Sequence, residues 1–204
     1  FCHAGSLLEL NGVIMMITSK KDLMEYIKAD NQWLIPVTIK EKVIECVASY
    51  PSRILRKYLR YLRKQEYYIN TANGSKWKGL LAVYYEGRKN RLGTRLGIEI
   101  GPNCFGKGLN IYHSGSIIVN PAVRAGANCS LHGANCIGNN GLTADVPTLG
   151  NGVDLGYGAV VIGKIMIGDD VKIGANALVN RSVMEPGCTV AGVPAKIVKH
   201  AEKR

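Results

Sequence analysis

A six-residue period governs the second half of the chain. Counting by sixes from Val119 gives Ala125, Leu131, Ile137, Thr143, Leu149, Leu155, Val161, Ile167, Ile173 and Val179, and ten of these eleven positions are apolar. Glycine occupies the next position at 126, 138, 150, 156, 168 and 174. Four residues after each sixth position the chain places mostly small or branched residues, among them Val123, Cys129, Asn135, Val153, Ala159, Ile165, Val171 and Ala177. Neither the helical period of about 3.6 nor the strand period of 2 repeats in this way. A triangular solenoid does: each hexad supplies one short strand and one corner, and three hexads close a coil. The aliphatic residue fills the interior, and the glycine serves the corner.

The pattern fails at Thr143. The segment NNGLTADVPT, Asn139 to Thr148, lacks the aliphatic–glycine signature and reads as a loop leaving the solenoid.

Upstream, the period changes to that of helices. DLMEYIKAD and KEKVIECVASY are helical in pattern, and KWKGLLAVYYEGRKN predicts a further helix. After Pro51 an amphipathic helix is expected, with Ile54, Leu55, Tyr58, Leu59 and Leu62 on its apolar face. Arg53, Arg56, Lys57, Arg60, Arg63 and Lys64 are assigned to its solvent face. Gly93 and Gly97 punctuate the passage into the solenoid. The expected organisation is a helical domain over 15–93, a solenoid over 94–198 and a charged tail over 199–204. Residues 1–14 are set aside as a leader that need not be native.

The net charge of +11 resides mainly upstream: residues 1–96 carry +9 and residues 97–204 carry +2. No apolar run reaches the ~20 residues of a membrane-spanning helix, and no secretion signal is recognised. The six cysteines form no metal-ligand spacing and read as reduced thiols in a cytoplasmic protein, Cys129 as a small core residue. The basic helix suits an anionic membrane face, with Tyr58, Tyr61, Tyr67 and Trp77 accompanying its cations. No nucleic-acid-binding motif accompanies it, and a solvated basic surface is the competing reading.

Residues 97–198 resemble the hexapeptide-repeat acyltransferases, in particular their serine acetyltransferase-like branch. The stretches that carry the resemblance are GIEIGPNCFGKGLNIYHSGSIIVNPAVRAGANC, LGNGVDLGYGAVVIGKIMIGDDVKIGANALV and AGVPAKIV. The upstream LRKQEYYIN is similar to the shorter helical domain of members from surface-polysaccharide gene clusters. The resemblance implies a mainly β fold, a left-handed parallel β-helix of hexapeptide repeats with an N-terminal α-helical domain. It also implies a homotrimer with acetyl-CoA as co-substrate, bound between neighbouring solenoids, and no metal.

Moving an acetyl group from a thioester to a hydroxyl requires a base, because the hydroxyl is a poor nucleophile at neutral pH. Histidine suits the task, and a carboxylate on its second nitrogen would fix the tautomer. Of His3, His113, His132 and His200, His113 interrupts the aliphatic series six residues before Val119 and matches the family's base in HSGSIIV. The resemblance places Glu99 where amino-acid-specific members carry an Asp that orients the base, with a spacing one residue shorter. His132, eighteen residues after Ser114, is expected to stack beside a neighbour of His113 and to contact the acceptor or the thioester. For each of these residues an ordinary structural or solvent-facing role is the alternative. For CoA the resemblance suggests Gly158, Ala159, Ala175, Asn176 and Lys196, with Lys172 as a further phosphate candidate.

Serine-acetylating members carry Arg-His before a Pro in the loop after the second coil. Here the stretch is Ala144-Asp145-Val146-Pro147, which puts Asp145 at the acceptor site and disfavours a carboxylate. The expected function is therefore acetyl-CoA-dependent O-acetylation of a sugar or glycan precursor. Serine O-acetylation for cysteine synthesis is the alternative within the same chemistry, and a non-catalytic β-helix binding anionic partners is the alternative of another class.

Overall fold

The computed structural model describes residues 16–32, 38–48 and 50–201. The proposed leader and the last three residues lie outside them.

Four helices open the chain. α1, Lys20–Ala29, begins at a capping box in which Ser19 and Asp22 bond each other's backbone amides. α2, Ile39–Val47, uses the same device with Thr38 and Glu41. α3, Pro51–Asn70, has proline in its first turn, where no amide bond is lost. α4, Lys76–Leu96, packs along α3 and ends at Gly97, whose left-handed φ of 65° would strain any other residue.

From Ile98 the chain winds into a left-handed parallel β-helix with three walls. The first holds Ile98–Ile100, Ile117–Val119, Cys136–Gly138, Val160–Ile162 and Leu178–Val179. The second holds Asn110–Ile111, Ser130–Leu131, Asp154–Leu155, Lys172–Ile173 and Thr189–Gly192, with Ala195–Lys199 turning back antiparallel at its edge. The third holds Arg124–Ala125, Thr148–Leu149 and Met166–Ile167. All other pairings are parallel, and Val160 pairs with Leu178, eighteen residues on.

The series read from the sequence is the interior. Val119, Ala125, Leu131, Ile137, Leu149, Leu155, Val161, Ile167, Ile173 and Val179 are buried, and so are Val123, Cys129, Val153, Ala159, Val171 and Ala177. Asn135 is the polar member of the inner rows. It stays satisfied because its carboxamide accepts from the Gly133 amide and donates to the Gly156 carbonyl. Residues Asn139 to Asp145 bulge outward and are exposed, and they lengthen their coil: Cys136 pairs with Val160 across 24 residues instead of 18.

One expected solvent residue is buried. Arg63 is fully enclosed, and its guanidinium donates to Asp30, Glu66 and the carbonyls of Phe105 and Gly106. Burial alone would lower its pKa, but the charges of Asp30 and Glu66 outweigh that and hold it above its ordinary value. Asp30 also accepts from the amides of Gly108 and Leu109, and Asn31 bonds both backbone groups of Ile111. Arg63 lies between the apolar and basic faces of α3, and helical period alone cannot show that α1 and the first coil close over it. Arg56 is also committed, to Glu45 of α2. Arg53, Lys57 and Arg60 remain on the exposed face.

Candidate active site

The coil containing His113 is longer than the hexapeptide rule allows. Asn110 pairs with Ser130 and Ile111 with Leu131, a coil of twenty residues. The interior positions are taken by Leu109, Ile111, Ile117 and Val119, all buried. His113 therefore fills no interior slot. It stands exposed at the corner between Ile111 and Ile117, where the two additional residues bring it to the surface.

The same shift changes the partner of His132. Its ring stacks on Tyr112, with centroids 4.3 Å apart and planes 17° apart, rather than beside Ser114. Tyr112 is the other chain neighbour of His113, so both histidines still serve one corner. Gly133, next to His132, leaves the space open: a Cβ there would stand 3.4 Å from the His113 Cβ and 3.2 Å from the Tyr157 ring. On its other side, His113 faces α3 across a small concavity of about 270 Å³ lined by Pro51, Ser52, Leu55, Tyr112 and Ser114.

His132 carries a carboxylate partner that sequence reading missed. Its Nε2 lies 2.8 Å from Oδ1 of Asp154, in a half-buried pair. The signal was present, since Asp154 directly precedes the interior Leu155 as Ser130 precedes Leu131, but coil-to-coil register is needed to place it beside His132.

Glu99 is placed elsewhere. It points outward from the first wall between the buried Ile98 and Ile100, in register with Ile118. It lines a separate concavity with Asn90, Thr94 and Ser116, and among the described residues no hydrogen bond or ion pair joins it to His113. Asp145 sits on the exposed loop, 3.7 Å from Lys164. Exposed pairs of this kind contribute between zero and about 1 kcal/mol.

The residues suggested for CoA lie along the later coils. Lys172, Ala175, Asn176 and Lys196 are exposed, while Ala159 is buried in the interior. Gly158 has a corner role of its own: its φ is 73°, and a Cβ would overlap the Asn176 carboxamide from the next coil. Gly152 with Asp170 repeats this arrangement, so the Gly158–Asn176 contact follows from coil stacking. Cys129, a nucleophile in principle, is buried, and its thiol is pushed up to about 12 by that burial. Among the described residues no group of His, Cys, Asp or Glu is arranged to hold a metal, and no helix is long and apolar enough to cross a membrane.

No family model matches the chain. It is 40% identical over 105 residues to the serine acetyltransferase of Helicobacter pylori (strain ATCC 700392 / 26695), a match covering 50% of this chain and 61% of the relative. With the serine acetyltransferase of Buchnera aphidicola subsp. Acyrthosiphon pisum (strain APS) it shares 30% over 150 residues, 72% of this chain and 52% of the relative. The chain thus spans about half the length of the curated relatives it matches. In fold it is similar to Neisseria gonorrhoeae serine acetyltransferase, with a TM-score of 0.65 at 24% identity over 91% of this chain and 68% of that one. The soybean enzyme complexed with serine gives 0.65 at 23%, over 88% and 70%. A serine acetyltransferase complex with CoA gives 0.62 at 22%, over 88% and 71%. The chain is serine acetyltransferase-like, in sequence over 105 to 150 residues and in fold across most of its length. These relatives lend no support to the polysaccharide-cluster resemblance.

Proposed function

We propose that the protein transfers an acetyl group from acetyl-CoA to the hydroxyl of a small acceptor. The observation that carries this reading is the pair of imidazoles, exposed His113 and half-buried His132, held at one corner of an acyltransferase-like solenoid. In the proposed mechanism His113 takes the hydroxyl proton as the oxygen attacks the thioester carbonyl, then returns it to the departing thiolate. One C–O bond forms, one C–S bond breaks, and the proton ends on sulfur. Acetyl-CoA as co-substrate is supported by the neighbour solved with CoA. Its phosphates would meet the exposed cations Lys172 and Lys196.

The acceptor has two readings. The relatives' names support L-serine. The acidic Asp145, exposed where serine-acetylating members carry a cation, supports a neutral hydroxyl such as that of a sugar. Release of free thiol from acetyl-CoA, followed with L-serine and with a panel of sugars, tests the reaction itself. Acceptor-dependent release is expected, and its absence with every acceptor would leave the solenoid as a binding scaffold.

A further inference from the structure

Asp154 and Tyr112 take no role in the sequence reading, and both are built onto His132. Ile111 pairs with Leu131 and Leu131 with Leu155, so the three residues come from consecutive coils of one wall. A carboxylate oxygen only accepts hydrogen bonds, so the 2.8 Å contact with Asp154 sets the proton of the neutral His132 ring on Nε2 and leaves Nδ1 with its lone pair. The stacked Tyr112 ring holds the imidazole plane. Two restraints on one side chain that remains 35% exposed make a fixed contact presented to solvent. The strip is continuous with the proposed base, because Gly133 lies against the His113 Cβ and the Tyr157 ring.

We propose that His132 is an acceptor-binding residue whose Nδ1 accepts a hydrogen bond from a neutral, multiply hydroxylated acceptor, with Asp154 and Tyr112 as positioning residues. The proposal rests on the acetyl-transfer reading above and names the acceptor class for that site. A lone pair fixed in this way needs a donor, which a hydroxyl supplies and a carboxylate lacks. A carboxylate would also face the charge of Asp154. Lys172 lies in register with Asp154 on the side away from the coil of His132, and Lys196 and Lys199 stand farther off on the edge strand of the same wall. Tyr112 and Tyr157 provide flat aromatic faces beside the polar contact, and a sugar ring has both hydroxyls and an apolar C–H face to meet them.

The test compares wild type with Asp154→Asn and His132→Phe, using glucose, N-acetylglucosamine and L-serine as probes with acetyl-CoA. Asparagine preserves size and removes the carboxylate, whose oxygens only accept; its amide nitrogen can donate to Nε2, which moves the ring proton to Nδ1 and removes the acceptor. The expected result is a loss of about twofold to tenfold in kcat/KM for the sugar, the range of a lost neutral hydrogen bond. The loss should appear mainly in KM for the sugar, with KM for acetyl-CoA unchanged. Nitrogen-15 spectra of His132 should show Nε2 protonated and Nδ1 bare in wild type. Variants that match wild type toward the sugar, a parallel rise in KM for acetyl-CoA, or a protonated Nδ1 on the neutral wild-type ring would overturn the proposal alone. Acetylation of L-serine but of neither sugar would overturn the acceptor class. Should the variants fail to fold, the wild-type His132 resonances must still move on adding sugar, and no movement overturns the contact. If wild type acetylates no probe, the acetyl-transfer reading falls and this proposal falls with it.

Discussion

At the scale of single residues, chemistry and structure are separable at the His113 corner. His113 is exposed, has no interior packing to lose, and faces the small concavity beside Pro51 and Ser52. Truncating it should leave the fold intact and remove only its chemistry. His113→Ala is therefore expected to lower turnover by about 10²–10⁴, the usual contribution of a general base, with acetyl-CoA affinity little changed. Turnover within a few-fold of wild type would show that another group takes the proton. The identity of the candidate was legible in the sequence because it interrupts the aliphatic series, but the reason for the interruption was not. The coil is twenty residues long, so the break marks additional chain at a corner rather than a polar side chain in the interior. The twenty-residue coil makes Tyr112 the stacking partner of His132, and the 24-residue coil that follows makes Asp154 its polar partner, neither of which a fixed count of eighteen could give.

At the scale of elements, the solenoid was legible almost residue by residue, since each hexad repeats the same burial requirement. The helices were legible as helices, but their docking was not. Amphipathic period divides α3 into two faces and says nothing about what covers the boundary, where Arg63 is clamped by Asp30, Glu66 and the first coil. Removing Arg63 would strand two buried carboxylates. Arg63→Ala is expected to destabilise the protein by about 3–5 kcal/mol, the cost of breaking a buried pair from one side, read as a fall in the midpoint of urea unfolding. The exposed cations behave differently. Arg53, Lys57 and Arg60 are available to solvent, and the residues suggested for CoA lie far along the chain between 158 and 196. Replacing these three cations with glutamine should leave stability and acetyl-CoA affinity nearly unchanged. A large loss of acetyl-CoA affinity in the folded variant would place the CoA phosphates on α3.

At the scale of the whole molecule, the open question is which hydroxyl reaches the corner, and charge offers the sharpest discrimination. The relatives are serine acetyltransferases, and a serine-binding site must meet a carboxylate. Here the loop that bulges from the longest coil presents Asp145, paired only loosely with Lys164, and the wall beside His132 presents Asp154. A charge-assisted contact to a carboxylate contributes roughly 1.5–3 kcal/mol, so its loss alone costs on the order of tenfold to a hundredfold in selectivity. A neutral sugar suffers neither that loss nor the repulsion. The expectation is thus a higher kcat/KM for a carbohydrate hydroxyl than for L-serine, measured by free thiol release under steady-state conditions. Arg124 donates from Nη1 to the carbonyls of Pro121 and Val123, which ties its guanidinium to its own corner. A cation from a neighbouring subunit could supply the missing charge, and it would give the opposite outcome: kcat/KM for L-serine of about 10⁴ M⁻¹s⁻¹ or more, the ordinary enzyme range, and above every sugar tested. That result would assign the protein to serine acetylation and would require the site to be completed between subunits of the proposed homotrimer. Light scattering on the same preparation separates the two cases, since a stable monomer with serine activity would leave the carboxylate without a partner and send the search for it back into this chain.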